Sequence, residues 1–341
     1  MHTFFLFLVA FLPFLAFCNE DSFTISPAEI EKQLQDANEE FARAKSNFAP
    51  WYSGPLLTGS AHTIPVGKVN TQPYIFVIDN HSRYSNNRKS RSIDNLVVIN
   101  PLNILQFGLW PNADFVITLG GVYQIQNQVS GGGFSDVEVE LGLQLAEEGL
   151  YTPAAKMYAV QSFPTGKFQK SSPRKQGLDL SGNGSFVTSL SFNTSKVVWW
   201  IFNRPMNLRL TLLFDVYTSP IKVKGINAYG GAENTKGTIT KGHEYKLNFG
   251  FEGSLSKKLS TVCDVVYTYS DASFFQGSSG TNQDGSIPIN GSSSSDILSI
   301  APGLEYNFDA NSGLVAGMWF SVYGRNENDF IGGILTYQVT F

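Results

Sequence analysis

The chain has 341 residues, enough for one large domain or two ordinary ones, and only 15% are charged where a soluble domain carries about 25%. Its formal net charge of -4 gives no electrostatic footprint for nucleic acid, and 13% aromatics with abundant Gly, Ser, Asn and Thr exclude a disordered chain or a helical bundle.

Residues 1–18 read as a secretory signal peptide. Phe4 to Phe17 form an apolar run broken by Pro13, and Ala16-Phe17-Cys18 offers a cleavage site. The run falls short of the ~20 residues of a spanning anchor. Cys18 as a lipidated residue is the alternative, against which the bulky Phe17 argues. After cleavage Cys263 stands alone, so no internal disulfide forms and no zinc spacing exists. An exported chain without disulfides needs another source of stability, and a closed barrel supplies it.

Residues 19–50 hold one helix. Ser26 is a good N-cap, Pro27 suits the first helical position and Glu29 completes a capping box. Ile30, Leu34, Ala37, Phe41, Ala44 and Phe48 recur at heptad spacing, a coiled-coil habit. Residues 51–67 are turn-rich and read as a linker.

From 68 to 341 the period is two. About twelve strands are expected, near 68–79, 92–109, 113–126, 134–146, 154–163, 184–202, 207–218, 242–254, 258–270, 295–308, 313–323 and 330–341. Leu141, Leu143 and Leu145 oppose Glu138, Glu140 and Gln144; Leu208, Leu210 and Leu212 oppose Asn207, Arg209 and Thr211; Tyr245, Leu247 and Phe249 oppose Lys246, Asn248 and Gly250. Connections at one end are short; at the other, 80–91, 164–183, 219–241 and 271–294 are expected to be long. That asymmetry belongs to transmembrane barrels. A soluble sandwich, the alternative, has strands of about 5–6 residues and no such asymmetry. The last strand places Tyr337, Val339 and Phe341 on one face and ends on an aromatic carboxyl terminus. Such an ending resembles the signal by which outer-membrane barrels are recognised by the barrel-assembly machinery.

Short motifs then mark a family. Gly54-Pro55-Leu56-Leu57-Thr58, Pro65-Val66-Gly67, Gly133-Phe134-Ser135-Asp136-Val137, Phe163-Pro164-Thr165-Gly166-Lys167, Ser181-Gly182-Asn183-Gly184-Ser185 and Pro302-Gly303-Leu304-Glu305-Tyr306 precede the closing Gly332 to Phe341. In their order and spacing the chain resembles the outer-membrane β-barrel family catalogued under the meta-pathway of phenol degradation, whose members are often labelled as transporters. The likeness covers about residues 54–341 and implies a barrel and transport, with no enzyme chemistry and no named solute. Gly59-Ser60-Ala61 stands where acidic residues are expected, and the heptad helix lies outside the likeness.

No catalytic, cofactor or metal constellation emerges. His62, His81 and His243 read as surface residues, and neither H-E-x-x-H nor G-x-S-x-G occurs. If the leucine faces meet lipid, Asp136, Glu138, Glu140, Arg209, Asp215, Lys246, Glu252, Asp264 and Glu305 face the lumen, with Lys156 a further candidate. Their acidic excess favours cations. The long loops are basic instead: Arg83, Arg88, Lys89, Arg91, Lys167, Lys170, Arg174, Lys175, Lys222, Lys224, Lys236 and Lys241. They suit phosphates of outer-leaflet lipopolysaccharide or anionic solutes.

The expectation is therefore an all-β, roughly twelve-stranded outer-membrane barrel over 68–341 with a short N-terminal helix, acting as a narrow or gated, cation-preferring channel for small solutes. The alternative is a structural or surface-interaction barrel with a packed lumen. The helix is expected either to plug the lumen or to self-associate into a homo-oligomer.

Overall fold

The computed structural model describes residues 26–48, 52, 54–201 and 204–341. The expected signal peptide with Cys18 lies outside them, as do the side chains of Ala44 and Phe48.

Twelve antiparallel strands close into one barrel: β1 (Val69–Tyr84), β2 (Ser90–Trp110), β3 (Ala113–Gln126), an interrupted β4 (Val129–Phe134 and Val137–Ala146), β5 (Ala154–Phe163), β6 (Val187–Ile201), β7 (Arg204–Tyr217), β8 (Glu244–Ser254), β9 (Leu259–Ser270), β10 (Ser295–Asn307), β11 (Ser312–Arg325) and β12 (Asn328–Thr340). Each strand pairs with its neighbours in sequence, and β1 pairs with β12 through Asn70↔Thr340 and Thr71↔Val339. Among the described residues closure leaves the barrel sheet without a free edge strand, as a hydrocarbon surround requires. Phe341 extends the seam, its N–H donating to the Val69 carbonyl at 2.9 Å.

Which face points inward decides between barrel and sandwich. Leu141, Leu212, Leu247 and Leu304 are exposed, whereas Lys156, Glu252, Asp264 and Glu305 are 0% exposed. A sandwich would bury the leucines. Here the apolar parity meets lipid and the polar parity fills the interior.

The outer end corrects three expectations. Residues 80–91 are not a long loop: β1 and β2 run on for 16 and 21 residues, and only 85–89 turn. Arg83 and Arg91 are therefore ladder partners on strands, and His81 sits at a bulge within β1. Beyond the bilayer both faces of a strand are wet, so the polar extensions lose the two-residue alternation that marks the lower half. Second, the fourth strand does not begin near 134: Val129–Phe134, with Gly131 to Gly133 in it, folds back on β3 through Asn127 and Gln128, both at positive φ (48° and 65°). That is the geometry of a two-residue hairpin turn. Third, 219–241 is ordered. Ile221–Lys224 and Lys236–Thr240 join Phe274–Ser278 in a three-stranded outer sheet over Ile221, Val223 and Ile239. Lys222, Lys224 and Lys236 point away from that small core.

The helix α1 (Pro27–Phe48) begins as expected, with Glu29 N–H donating to Ser26 Oγ at 3.2 Å. It lies at the short-turn end. Leu150 N–H donates to Asn38 Oδ1 at 3.0 Å, and the Lys196 ammonium lies 4.7 Å from the Phe41 ring centre.

Candidate functional site: a lumen in two parts

The segment expected to be a linker enters the barrel. Residues 54–64 cross the short-turn end of the lumen, and Leu56 and Ala61 are buried at 1% and 0% exposure. Leu56 packs against Val262, Ala301, Val315 and Ile334 from β9 to β12. Glycines on the inward parity make the room. A Cβ at Gly317 would stand 2.4 Å from Leu56 Cδ1, and one at Gly250 would stand 2.8 Å from Pro55 Cγ.

One carboxylate latches this segment. Asp264 on β9 accepts the N–H of Leu56 at 2.8 Å, of Leu57 at 3.2 Å and of Thr58 at 2.9 Å, and the Thr58 hydroxyl at 2.5 Å. Converging donors satisfy a buried charge that would otherwise be costly. The rest of the segment is tied to other strands. Asn193 Nδ2 donates to the Ser60 carbonyl at 3.2 Å, Lys156 Nζ to the His62 carbonyl at 3.1 Å, and the Thr63 hydroxyl to Gln144 Oε1 at 2.9 Å. His62, expected at the surface, keeps 43% of its side chain exposed on the chamber lining and places Nε2 3.2 Å from Ser195 Oγ.

Two ion pairs stiffen the same level. Arg209 binds Glu252 through Nε at 2.9 Å and Nη2 at 3.1 Å, and Asn207 Nδ2 donates to the same carboxylate at 2.6 Å. Lys156 pairs with Asp114, both side chains fully buried, opposite Gly142, where a Cβ would stand 2.3 Å from Asp114 Oδ1. Glu305 accepts from Asn307 Nδ2 at 2.7 Å.

Above the segment lies a polar chamber of about 460 Å³ bounded by Glu138, Glu140, Arg209, Thr211, Asp215 and Lys246. Lys246 pairs with Glu244 at 2.7 Å and Asp215 at 3.5 Å. Among the described residues Glu138 and Glu140 make no hydrogen bond or ion pair. A second space of about 880 Å³ lies towards the long loops, between β2–β3 and residues 176–183 and 226–231, and Glu138 borders both.

The inward residues expected from sequence therefore divide. Glu138, Glu140, Asp215 and Lys246 face the chamber, with Arg209 at its floor. Glu252, Asp264 and Glu305 are consumed by internal bonds. Asp136 borders the second space from the break within β4, where it also accepts the N–H groups of Gly166 at 2.9 Å and Asn183 at 2.8 Å and so ties down the 164–186 connection. Asp114 was missed by sequence reasoning. Its signal is weak: a lone acid one residue into β3 with a glycine as ladder partner.

The basic outer residues divide as well. Lys167 pairs with Asp179, which also accepts from the Ser171 hydroxyl. Partial burial pushes the Asp179 carboxyl up, but these bonds outweigh it and hold it below the usual carboxylate range. Lys175 Nζ donates to the Ser130 carbonyl at 2.7 Å. Lys241 lies 3.9 Å from the Tyr217 ring centre, and burial lowers its ammonium against the pull of Glu244. Lys89, Lys170 and Arg174 lie in the outer connections without a shared site.

No family model and no curated protein matches the chain. Among solved structures it is similar to an outer membrane channel from Pseudomonas putida F1, at 14% identity and a TM-score of 0.63, over 83% of this chain and 98% of that one. It matches more loosely the transport unit of the autotransporter AIDA-I from Escherichia coli (11% identity, TM-score 0.42, 89% of this chain and 99% of that). A third match is the Ralstonia pickettii toluene transporter TbuX (10%, 0.36, 86% and 98%). The first likeness is one of fold. The chain is a twelve-stranded β-barrel of the outer-membrane type.

Proposed function

We propose that the protein is a narrow outer-membrane channel or transporter for small polar solutes, closed at its periplasmic end by its own segment 54–64. The observation that carries this reading is the succession of two spaces that share Glu138 in their walls, ending on a segment held by Asp264 rather than on a lumen packed throughout. The first structural neighbour is named as a channel, which supports the reading. Solutes would enter from the loop end, pass Glu138 and Glu140, and leave once the segment shifts. The two unpaired carboxylates favour cations.

The second reading is a structural barrel whose lumen never conducts. The buried Lys156–Asp114 and Arg209–Glu252 pairs favour it, since both fill space beside the wall at floor level. Purified protein in planar bilayers separates the two. A channel gives discrete current steps whose size rises when the Asp264 latch is removed. No current from either wild type or the latch variant supports the structural barrel.

A further inference from the structure

The outer wall carries a charged cluster that the lumen does not use. Asp296 on β10 and Arg325 on β11 are ladder partners, and Arg88 reaches over to them from the turn at 85–89. Arg88 grips the Asp296 carboxylate at both ends, Nη1 to Oδ2 at 2.5 Å and Nη2 to Oδ1 at 3.1 Å. Arg325 Nε donates to Oδ1 at 2.8 Å, and its Nη2 to Ser294 Oγ at 3.4 Å. The Arg88 guanidinium also lies 4.6 Å from the Tyr323 ring centre. Two cations thus share one carboxylate, leaving a net positive charge. Each guanidinium has five N–H donors, so with two used on each, three per arginine remain. Asp296 is covered at 4% exposure, while the side chains of Arg88 and Arg325 are 33% and 26% exposed.

The ladder fixes the level of this cluster. Arg325↔Asp296, Asp296↔Tyr269, Tyr269↔Tyr245, Tyr245↔Phe214 and Phe214↔Leu190 form one continuous row across β11 to β6. Phe214 and Tyr245 stack at 4.9 Å, and Tyr245 and Tyr269 are 6.1 Å apart. This row lies at the long-loop end on the outward parity. Rings in such a row form the girdle that marks the headgroup level of a barrel, so the arginines stand where lipid headgroups stand. A groove of about 890 Å³ runs from them along Tyr267, Tyr245, Leu247, Leu212 and Phe192 on the same outer face.

We propose that Arg88 and Arg325 bind the phosphate of an outer-leaflet lipid, whose acyl chain lies along this groove. The guanidinium fork matches phosphate oxygens, and the anions at this level of a membrane are lipid phosphates. Asp296 sets the two forks side by side and covers no more than half of their charge. The proposal rests on the outer-membrane reading and is independent of conduction.

The test is native mass spectrometry of detergent-purified protein with monophosphoryl lipid A, beside the same lipid with its phosphate removed. Wild type should retain the phosphorylated lipid several-fold more than the dephosphorylated one. Arg88→Gln leaves the Arg325–Asp296 pair intact and should lose most of that difference, and Arg88→Gln with Arg325→Gln should lose all of it. Should the double variant fail to show heat-modifiable migration, the single one carries the test, because its residue lies in a turn. Arg83→Gln with Arg91→Gln removes the same charge nearby and should leave retention unchanged. Equal retention in wild type and Arg88→Gln, or equal loss in the Arg83/Arg91 control, overturns the site. Displacement of the lipid by millimolar inorganic phosphate overturns the lipid assignment in favour of free phosphate.

Discussion

The lower and upper halves of the lumen hold similar charges and use them oppositely. At the floor, Asp264, Glu252 and Asp114 each meet donors, from residues 56–58, Arg209 and Lys156. One level higher, Glu138 and Glu140 face a chamber and bond to nothing among the described residues. The same residue types, on the same inward parity, build a closed partition in one half and a solute-facing wall in the other. What distinguishes the halves is geometry. Gly250, Gly303 and Gly317 thin the lower wall until an extra chain fits inside it, and that chain brings the backbone donors.

The largest expected effect comes from cutting the latch. Asp264→Ala removes the acceptor of three N–H groups and one hydroxyl at once. Current per channel in planar bilayers should rise several-fold if residues 54–64 are the closure. Asp264→Asn keeps one acceptor oxygen and should give an intermediate rise. Unchanged current in a conducting wild-type protein would mean that the closure lies elsewhere.

Stability should separate the halves next. Arg209→Ala strands Glu252 at a fully buried position, and breaking a buried pair this way costs about 3–5 kcal/mol. Lys246→Ala, on the chamber wall with its side chain 34% exposed, breaks pairs that are part-hydrated and should cost about 1 kcal/mol or less. Urea unfolding in detergent, followed by heat-modifiable migration, measures both. Equal costs would erase the distinction between a dry floor and a wet chamber.

The barrel itself was legible because lipid on one side and water on the other impose period two on each crossing segment. Leu141, Leu212, Leu247 and Leu304 all fall on the face that their spacing assigns. The partition was not legible. Gly54-Pro55-Leu56-Leu57-Thr58 carries no periodicity, and its role depends on glycines and an aspartate about 190 to 260 positions away. The sign of the lumen could be read, but not how the charges are spent: Asp264 and Glu140 look alike in a polar parity, and only the first has a chain laid against it. The outer sheet at 221–240 was hidden because its alternation is only five residues long and basic on its open face.

Selectivity tests the upper half alone. Glu138→Gln with Glu140→Gln should move the zero-current potential under a salt gradient toward anion permeation. Glu305→Gln, at a 0% exposed floor position, should leave it in place. Asp136 is better left intact, because its loss would free the connection at 164–186 rather than change the pore. If Glu305→Gln shifts the potential as far as the Glu138/Glu140 pair does, the ion path runs through the floor and not past the segment.

The smallest effect on the barrel should come from α1, which extends the floor beyond the membrane. Its heptad seam divides much as the lumen does. Phe41 lies against the Lys196 ammonium of the same chain, and Asn38 bonds the turn at Leu150, whereas Ile30 and Leu34 are each 46% exposed. Most helical stability in proteins comes from packing an apolar face, and half of the seam on this 22-residue helix has none among the described residues. We propose that the Ile30–Leu34 half meets the same half of a second copy, while the Phe41 half anchors the helix to its own barrel. Ile30→Asp with Leu34→Asp should then lower the mass seen by light scattering in detergent to that of one chain, with barrel stability and current unchanged. Phe41→Ala should keep the mass and loosen only the helix, read as faster proteolysis between 41 and 54. A wild-type protein that already runs as a single chain removes the self-association, and rising current in the Ile30/Leu34 variant would move the helix from the oligomer interface to the closure of the pore.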